Sequence, residues 1–378
     1  MSDQSDLWMK QEQLRTSLKR QRLIICCGAG GVGKTTTATA MALAAAQLGL
    51  RVLALTIDPS KRLAQTLGVA RNTPTPVQLD RERLEALGVP SGGMLSAWLL
   101  DPQLVSDRVV NAEAGEEAEA LKQNLIYREI SGMVAGMQEY TAVEALHGFL
   151  NDQAYDLIIL DTPPSRHALR FIDSPKRVAS FLDKRIFRLF VPSKTGVLGR
   201  VASKVVDEVL DRAFGEESRR ELKQFFELFS RLLDHLNGNQ AEMETVFRRP
   251  ETCFYLITTV REDAIDEAQR FADEVSTRGL HLGGFILNRV SADSESNEHP
   301  PLSLTDALAL DGLPDRGSAL IEAIEGRLHR DEQVKQMRQT VMNTLSSRGA
   351  LIKLGELTSD AGTLEGISGL AEQLIGPV

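Results

Sequence analysis

The chain has 378 residues, 42% of them hydrophobic and 25% charged, which is enough to build one large domain or two ordinary ones with a buried core. Its formal net charge of −9 argues against broad nucleic-acid binding, which requires a basic surface. The first residues contain no apolar core of a secretory signal and no apolar run is long enough to span a membrane, so we expect a cytoplasmic protein.

Apolar runs divide the chain into strands and helices. Six runs rich in Ile, Leu and Val are continuous rather than alternating, which is typical of parallel strands covered on both faces. These predicted strands are 22–27, 51–57, 155–160, 253–260, 282–287 and 350–354. Helical patterns at 34–48 and 262–278 end at Gly49 and Gly279, as helices commonly do. This alternation predicts an α/β fold with a doubly wound sheet.

The segment GAGGVGKT at 28–35 matches the phosphate-loop pattern G-x-x-x-x-G-K-S/T. It follows a predicted strand and opens a predicted helix, which is the structural context that this motif requires. Its glycines allow backbone N–H groups to surround phosphates, Lys34 would reach the β- and γ-phosphates, and Thr35 would hold Mg²⁺. The sequence therefore predicts a nucleoside triphosphate and Mg²⁺ as ligands.

Two aspartates follow predicted strands and would complete a hydrolytic site. Asp161 ends one strand, where a Walker-B carboxylate faces the metal shell. Asp58 follows another strand, where it could orient the attacking water or accept its proton. Either aspartate alone could equally be a helix cap or a turn residue. With the loop beside them, we predict catalytic roles for Lys34, Asp58 and Asp161, and metal binding by Thr35, Asp58 and Asp161.

Long stretches between predicted strands are mostly helical in pattern. We predict a P-loop NTPase fold with a mostly parallel sheet and an inserted helical subdomain. Residues 1–21 would be an N-terminal extension and 22–378 one ATPase domain, with the helical subdomain inserted at about 90–150 and 174–248.

Four segments resemble the arsenite-pump (ArsA-like) ATPase family, which includes the guided-entry targeting factors for tail-anchored membrane proteins. They resemble the deviant Walker A motif, switch I, switch II and the segment whose asparagine contacts adenine. In that order they are GAGGVGKTT at 28–36, DPSKRL at 58–63, DTPPSRHALRF at 161–171 and FILNRV at 285–290. The order and the wide spacing of these motifs also match the family over nearly the whole chain.

The resemblance implies a dimeric ATPase in which two nucleotides face each other across the interface and hydrolysis moves the helical subdomains. It implies that ATP and Mg²⁺ bind, and that Asn288 contacts the adenine edge with Arg289 near the base. The residues expected to bind nucleotide are Gly28, Gly30, Gly31, Val32, Gly33, Lys34, Thr35, Thr36, Asn288 and Arg289. The residues expected to form the moving switch are Pro163, Pro164, Ser165, Arg166 and His167.

Three positions depart from the family pattern. Ala29 stands where the family's signature lysine reaches across the dimer to the partner's phosphates. Arg166 replaces a switch II glycine, and Lys61 stands where a histidine is common. No cysteine pair matches the zinc site of the targeting factors or the arsenite site of the pump. Arsenite transport and tail-anchor targeting therefore do not carry over, and we expect the three cysteines to be small buried hydrophobes.

The chain also resembles a bacterial branch that has alanine at this position and can occur beside a paralogue that keeps the lysine. The partner is then either a second copy or such a paralogue. Two functions stay open: an ATPase that couples nucleotide state to a client, and a regulatory nucleotide-binding subunit with little activity alone. A third, a MinD-like surface-positioning ATPase, is disfavoured by the large insertions and by a C-terminal tail without a basic amphipathic helix.

Two further segments bear on the client. Residues 176–204 contain eight Lys or Arg and one acidic residue, Asp183, which suits either an anionic membrane surface or acidic partner, or an ordinary packed helix. Residues 225–233, FFELFSRLL, suit either a client groove or core packing. We therefore expect the client to be a protein or a membrane surface. A membrane client would place this chain at the periphery of a membrane.

Overall fold

The computed structural model describes part of the chain in detail. The described residues are 2–57, 62–70, 73–123, 138–163, 238–239, 241–290, 336, 340, 342–355 and 362–377. Several features of the sequence analysis lie outside them: Asp58, Lys61, Pro164, Ser165, Arg166, His167, the basic segment 176–204 and the aromatic run 225–233.

Helices and strands follow one another in mostly alternating order along the described chain. The helices are α1 (Ser2–Arg20), α2 (Lys34–Gln47), α3 (Arg62–Leu67), α4 (Arg81–Ala86), α5 (Pro102–Ala114), α6 (Ala118–Gln123), α7 (Gln138–Asp152), α8 (Glu262–Thr277) and α9 (Leu364–Ile375), and residues 241–248 are also helical. The strands are β1 (Leu23–Cys27), β2 (Arg51–Thr56), β3 (Val77–Gln78), β4 (Met94–Leu99), β5 (Leu157–Asp161), β6 (Thr252–Thr258), β7 (Leu282–Val290) and β8 (Leu351–Gly355). None of the described helices has the length and apolar character needed to cross a bilayer.

The eight strands form one sheet in the order β3-β4-β2-β5-β1-β6-β7-β8. All neighbouring pairs are parallel except the short β3, which runs antiparallel to β4. The predicted α/β fold with a mostly parallel sheet is confirmed, and each of the six predicted strands is present. The sheet order places β1 between β5 and β6, so the loop that leaves β1 is flanked by the carboxyl ends of both neighbours.

The central strand shows why its sequence is a continuous apolar run. Ile24 and Cys26 of β1 lie in the core beneath α2 and α9, on one face of the sheet. Leu23, Ile25 and Cys27 lie in the core beneath α7 and α8, on the other face. A strand with helices on both faces buries every side chain, so alternation with polar residues disappears.

Described residues within both predicted helical insertions lie in the sheet or in the layer that covers it. Strand β4, which was not predicted, pairs with β2 inside the range 90–150. Its buried centre includes Ser96, which interrupts the apolar run. Phe149 of α7 and Phe247 near the end of the range 174–248 are both buried in the core on the second face. The described ends of both ranges therefore belong to the sheet and its covering layer rather than to a separate subdomain.

The N-terminal extension predicted at residues 1–21 forms α1, which packs on the domain. Leu14 and Leu18 are buried in the core on the α2 face. Gln11 donates from Nε2 to the carbonyl of Gln373 at 3.0 Å, and Arg15 donates from Nη2 to that of Pro377 at 2.7 Å. These bonds join the start of the chain to the end of α9.

We expect Leu14→Ala to lower the free energy of unfolding by about 2–5 kcal/mol, because it removes a fully buried side chain and leaves a cavity. Met9→Ala on the same helix is the control, since Met9 is 51% exposed. Its effect should stay within about 0.5 kcal/mol. Urea unfolding followed by circular dichroism measures both. Equal stabilities of the two variants would show that α1 does not pack as described.

Candidate functional site

Residues 28–33 link the carboxyl end of β1 to α2 and require glycine at two points. A Cβ on Gly28 would lie 2.1 Å from the carbonyl oxygen of Ile257 on β6, a backbone atom that cannot give way easily. Gly33 has φ 90°, in the left-handed region, and a Cβ there would lie 2.2 Å from Nδ2 of Asn288. The loop therefore packs closely against β6 and β7, and only glycine fits at positions 28 and 33.

The helix that follows the loop begins at Lys34 with features typical of an anion site. Its N-cap residue, Gly33, has no side chain to cap the first turn, and that turn contains no acidic residue. The N-terminal N–H groups of a helix point along its axis and carry the positive end of the helix dipole. Such a helix start binds phosphate groups readily.

Lys34 is turned back over the loop. Its side chain is only 6% exposed, and Nζ donates to the carbonyl oxygen of Ala29 at 2.9 Å. Ala29 itself is 7% exposed, and its methyl group belongs to the core on the α2 face. The cationic group at the loop is therefore that of Lys34, while Ala29 contributes a carbonyl acceptor and no charge.

Asp161 lies beside the loop and accepts two hydroxyl hydrogen bonds on one oxygen. Thr35 donates from Oγ1 to Oδ2 of Asp161 at 2.8 Å, and Thr56 donates to the same Oδ2 at 3.0 Å. Asp161 ends β5, and β5 lies between β1 and β2, so the sheet order brings α2 and β2 to this carboxylate. Thr35 and Asp161 were predicted to share a site and lie in contact; Thr56 was not singled out.

Asn288 holds the loop from the other side. Its Nδ2 donates to the carbonyl of Val32 at 2.9 Å, and its Oδ1 accepts from the backbone N–H of Arg289 at 3.0 Å. Asn288 is buried at the carboxyl end of β7, whereas Arg289 is exposed and has φ 60°. An amide group has two N–H donors and two acceptor lone pairs on oxygen, so these two bonds use half of its capacity.

The other predicted site residues that the structure describes lie in the loop or follow the neighbouring strand. Gly30 and Gly31 are exposed, and Thr36 is half-buried on the first turn of α2. Pro163 is half-buried directly after Thr162. Thr162, which the sequence did not single out, donates from Oγ1 to the carbonyl of Cys26 at 2.8 Å and fixes the start of the predicted switch to β1.

All three cysteines are free and buried, as predicted. Burial raises the pKa of the Cys27 thiol to about 12, and that of Cys253 also to about 12. Burial likewise raises the pKa of Cys26. These thiols are therefore protonated near neutral pH and are poor nucleophiles and poor metal ligands. The described part of the chain contains no cluster of three or more His, Cys, Asp or Glu suited to a metal ion.

A glycine loop between a central parallel strand and a helix, with a lysine, a threonine and a strand-end aspartate around it, is the arrangement of P-loop nucleoside triphosphatases. Within that class, residues 21–305 match the anion-transporting ATPase (ArsA ATPase) family, so the chain belongs to this family. The resemblance read from four short segments is thereby confirmed.

Three relatives are about a quarter identical to this chain over the aligned residues. The putative arsenical pump-driving ATPase 1 of Aquifex aeolicus is 24% identical over 274 residues, 71% of this chain and 63% of that protein. The ATPase get3 of Schizosaccharomyces japonicus is 23% identical over 290 residues, 75% of this chain and 78% of that protein. The arsenical pump-driving ATPase of Acidiphilium multivorum is 28% identical over 284 residues, 73% of this chain and 40% of that protein. The match spans less than two thirds of the Aquifex and Acidiphilium proteins.

Proposed function

We propose that this protein binds ATP with Mg²⁺ and hydrolyses it, and that the nucleotide state controls a dimer and its hold on a client. The observation that carries this proposal is the contact of 2.8 Å between Thr35 Oγ1 and Asp161 Oδ2 at the start of the loop helix. A hydroxyl and a carboxylate joined at that position are suited to magnesium rather than to loop stability alone.

The loop supplies the phosphate contacts. The backbone from Gly28 to Gly33 would surround the phosphates, with Thr36 on the first turn of α2 completing the set. The ammonium group of Lys34 is buried at the loop and would neutralise phosphate charge. Low exposure strengthens such a charge interaction, because water screens it less.

The oxygen donors at Asp161 fit Mg²⁺. This ion prefers oxygen ligands and usually keeps waters and substrate phosphates with only one or two protein ligands. Thr35 and Asp161 would hold it, with Asp58 near the same shell. Bound there, the ion would offset the negative charge that gathers on the phosphates during phosphoryl transfer.

Asp58 would orient the attacking water or accept its proton. Strand β2 leads directly to it, and the N–H of Ile57 donates to the carbonyl of Asp161 at 3.1 Å. The described end of this segment, at Ile57, therefore lies beside Asp161. A carboxylate at that place is suited to a general base, and Pro163, Pro164, Ser165, Arg166 and His167 would form the segment that moves with the γ-phosphate.

The base contact is assigned to Asn288. One N–H and one oxygen lone pair of its amide remain beyond the bonds to Val32 and Arg289. An amide can pair with N7 and the N6 amino group of adenine through one donor and one acceptor. This favours ATP over other nucleotides, with the exposed Arg289 beside the base.

The partner would be a second copy of this chain or a paralogue that carries the signature lysine. Client binding would involve a protein or a membrane surface and no nucleic acid, in the cytoplasm or at the periphery of a membrane. The names of the relatives, pump-driving ATPases among them, agree with an ATPase that drives another component.

A second candidate is a regulatory subunit that binds nucleotide and turns it over poorly alone. The observation that favours it is Ala29, whose side chain is buried and uncharged while its carbonyl is bound by Lys34. Without a cation reaching the opposite site, transition-state charge would be neutralised less completely.

We expect Asp58→Asn to keep ATP binding and to lower turnover by roughly 10²- to 10⁴-fold, because it removes the general base. Phosphate release and binding of a fluorescent ATP analogue measure the two properties. The matched control is Asp156→Asn at the amino end of β5, away from the loop, where Asp156 pairs with Arg51 at 2.7 Å. Its turnover should match that of the unaltered protein, and normal turnover by Asp58→Asn would contradict the assignment.

A further inference from the structure

We propose that Thr56 is a positioning residue that fixes the carboxylate of Asp161 for the metal ion. The inference rests on the proposed function, because it takes Asp161 to be a magnesium ligand. Thr56 belongs to none of the sequence motifs, and it would act on the ion only through Asp161.

The sheet register creates the contact. Thr56 and Asp161 are paired residues of the parallel strands β2 and β5, so their side chains are neighbours. Both are buried, at 3% and 1% exposed, and the distance from Thr56 Oγ1 to Asp161 Oδ2 is 3.0 Å. A hydrogen bond to an ionised acceptor in such a buried place is among the stronger ones in proteins.

Two hydroxyl groups from different elements hold the same oxygen. Thr35 donates to Oδ2 of Asp161 from α2, and Thr56 donates to it from β2. The carboxylate is therefore held at this one oxygen by hydrogen bonds from two different elements. Thr35 is also an expected ligand of the ion, whereas Thr56 is not and would act on the ion through the carboxylate. Residues that orient a metal ligand in this way affect metal affinity without touching the ion.

Thr56 also links two parts of the site along the chain. It lies two residues before Asp58 on the strand that leads to it, and Asp161 lies two residues before Pro163. The Thr56–Asp161 hydrogen bond thus joins the strand that precedes the expected base in the sequence to the strand that precedes the expected switch.

The test is a magnesium titration of nucleotide binding, which does not depend on turnover. Thr56→Val removes the hydroxyl and keeps the side-chain shape, and Thr56→Ser keeps the hydroxyl. The affinity for a fluorescent ADP analogue is measured in EDTA and at rising Mg²⁺. We expect Thr56→Val to leave the affinity in EDTA unchanged and to raise the Mg²⁺ concentration for half-maximal enhancement about tenfold. Thr56→Ser should restore the original titration.

Thr252→Val is the matched control. Thr252 is also a buried strand threonine whose hydroxyl is bonded, here to the carbonyl of Val246 at 2.8 Å at the amino end of β6. Its magnesium titration should be that of the unaltered protein. An equal shift in Thr252→Val, or a loss of affinity in EDTA by Thr56→Val, would mean general destabilisation and would overturn the inference. If Thr56→Val does not fold, Thr56→Ala is measured in its place.

Asp161→Asn separates this inference from the function on which it rests. A magnesium titration shifted by Asp161→Asn but not by Thr56→Val would overturn the role of Thr56 and leave the metal site intact. A titration shifted by neither would overturn the metal assignment of Asp161 itself. Shifts in both variants, with rescue by Thr56→Ser, support the positioning role.

Discussion

Lys34→Ala is expected to abolish nucleotide binding. The ammonium group of Lys34 is buried at the loop, 2.9 Å from the carbonyl of Ala29, and it is the positive side chain that the described structure places inside the loop. In the complex, the ammonium group of Lys34 would pair with the phosphate charge. Removing one partner of such a buried, hydrogen-bonded charge pair is costly, because the other charge stays desolvated. We expect the affinity for ATP to fall at least about a hundredfold.

A surface lysine provides the control for this loss. Lys122 on α6 pairs with Glu119 at 2.9 Å, far along the chain from the loop. Lys122→Ala removes the same charge, and its affinity for a fluorescent ATP analogue should be unchanged. Tight ATP binding by Lys34→Ala would show that the loop is not the phosphate site.

Ala29→Lys should raise turnover by roughly tenfold to a thousandfold, because it restores a cation expected to reach the phosphates of the partner subunit. We expect the longer side chain to be accommodated at this position. Although the Ala29 methyl group is buried, the next two residues, Gly30 and Gly31, are exposed, so four methylenes can carry the ammonium group to the surface. Affinity for ATP should change little, since Lys34 and the loop backbone remain.

Ala29→Met is the uncharged control of similar length, and turnover no faster in Ala29→Lys than in Ala29→Met would contradict the proposed charge effect. A mixing experiment tests action across the dimer. The double variant Ala29→Lys with Lys34→Ala should neither bind nor hydrolyse ATP, yet it carries the new cation. Mixed with the unaltered protein, it should raise turnover above the sum of the two alone; a simple sum would contradict action across a dimer.

Much of the fold is predictable because strands that are buried on both faces of the sheet have continuous apolar sequences. Strands β1, β5 and β6 are apolar runs for that reason, and the loop motif marks the turn after β1. Strand β4 escaped prediction because Ser96 lies at its centre. The packing of α1 was not predicted because Leu14 and Leu18 stand in a polar segment, and because α1 packs on β8 and α9, more than three hundred residues away along the chain, as well as on α2.

Some contacts of the candidate site could likewise be predicted from the sequence and others could not. Lys34, Thr35 and Asp161 belong to motifs with fixed spacing, so their meeting could be predicted. The contact between Lys34 and Ala29 uses a backbone carbonyl, which no side-chain pattern encodes. Thr56 is one of several threonines in apolar strands, and only the register of β2 with β5 places it on Asp161.

The most direct test of the proposed function is phosphate release from Mg-ATP by the purified protein, measured over a range of protein concentrations. If the protein is an ATPase that works as a dimer, the rate of phosphate release per chain should rise with protein concentration and should be lost in Asp58→Asn. A rate per chain independent of concentration would contradict the dimer. No phosphate release while ATP stays bound would contradict an ATPase active by itself and leave the regulatory subunit in its place.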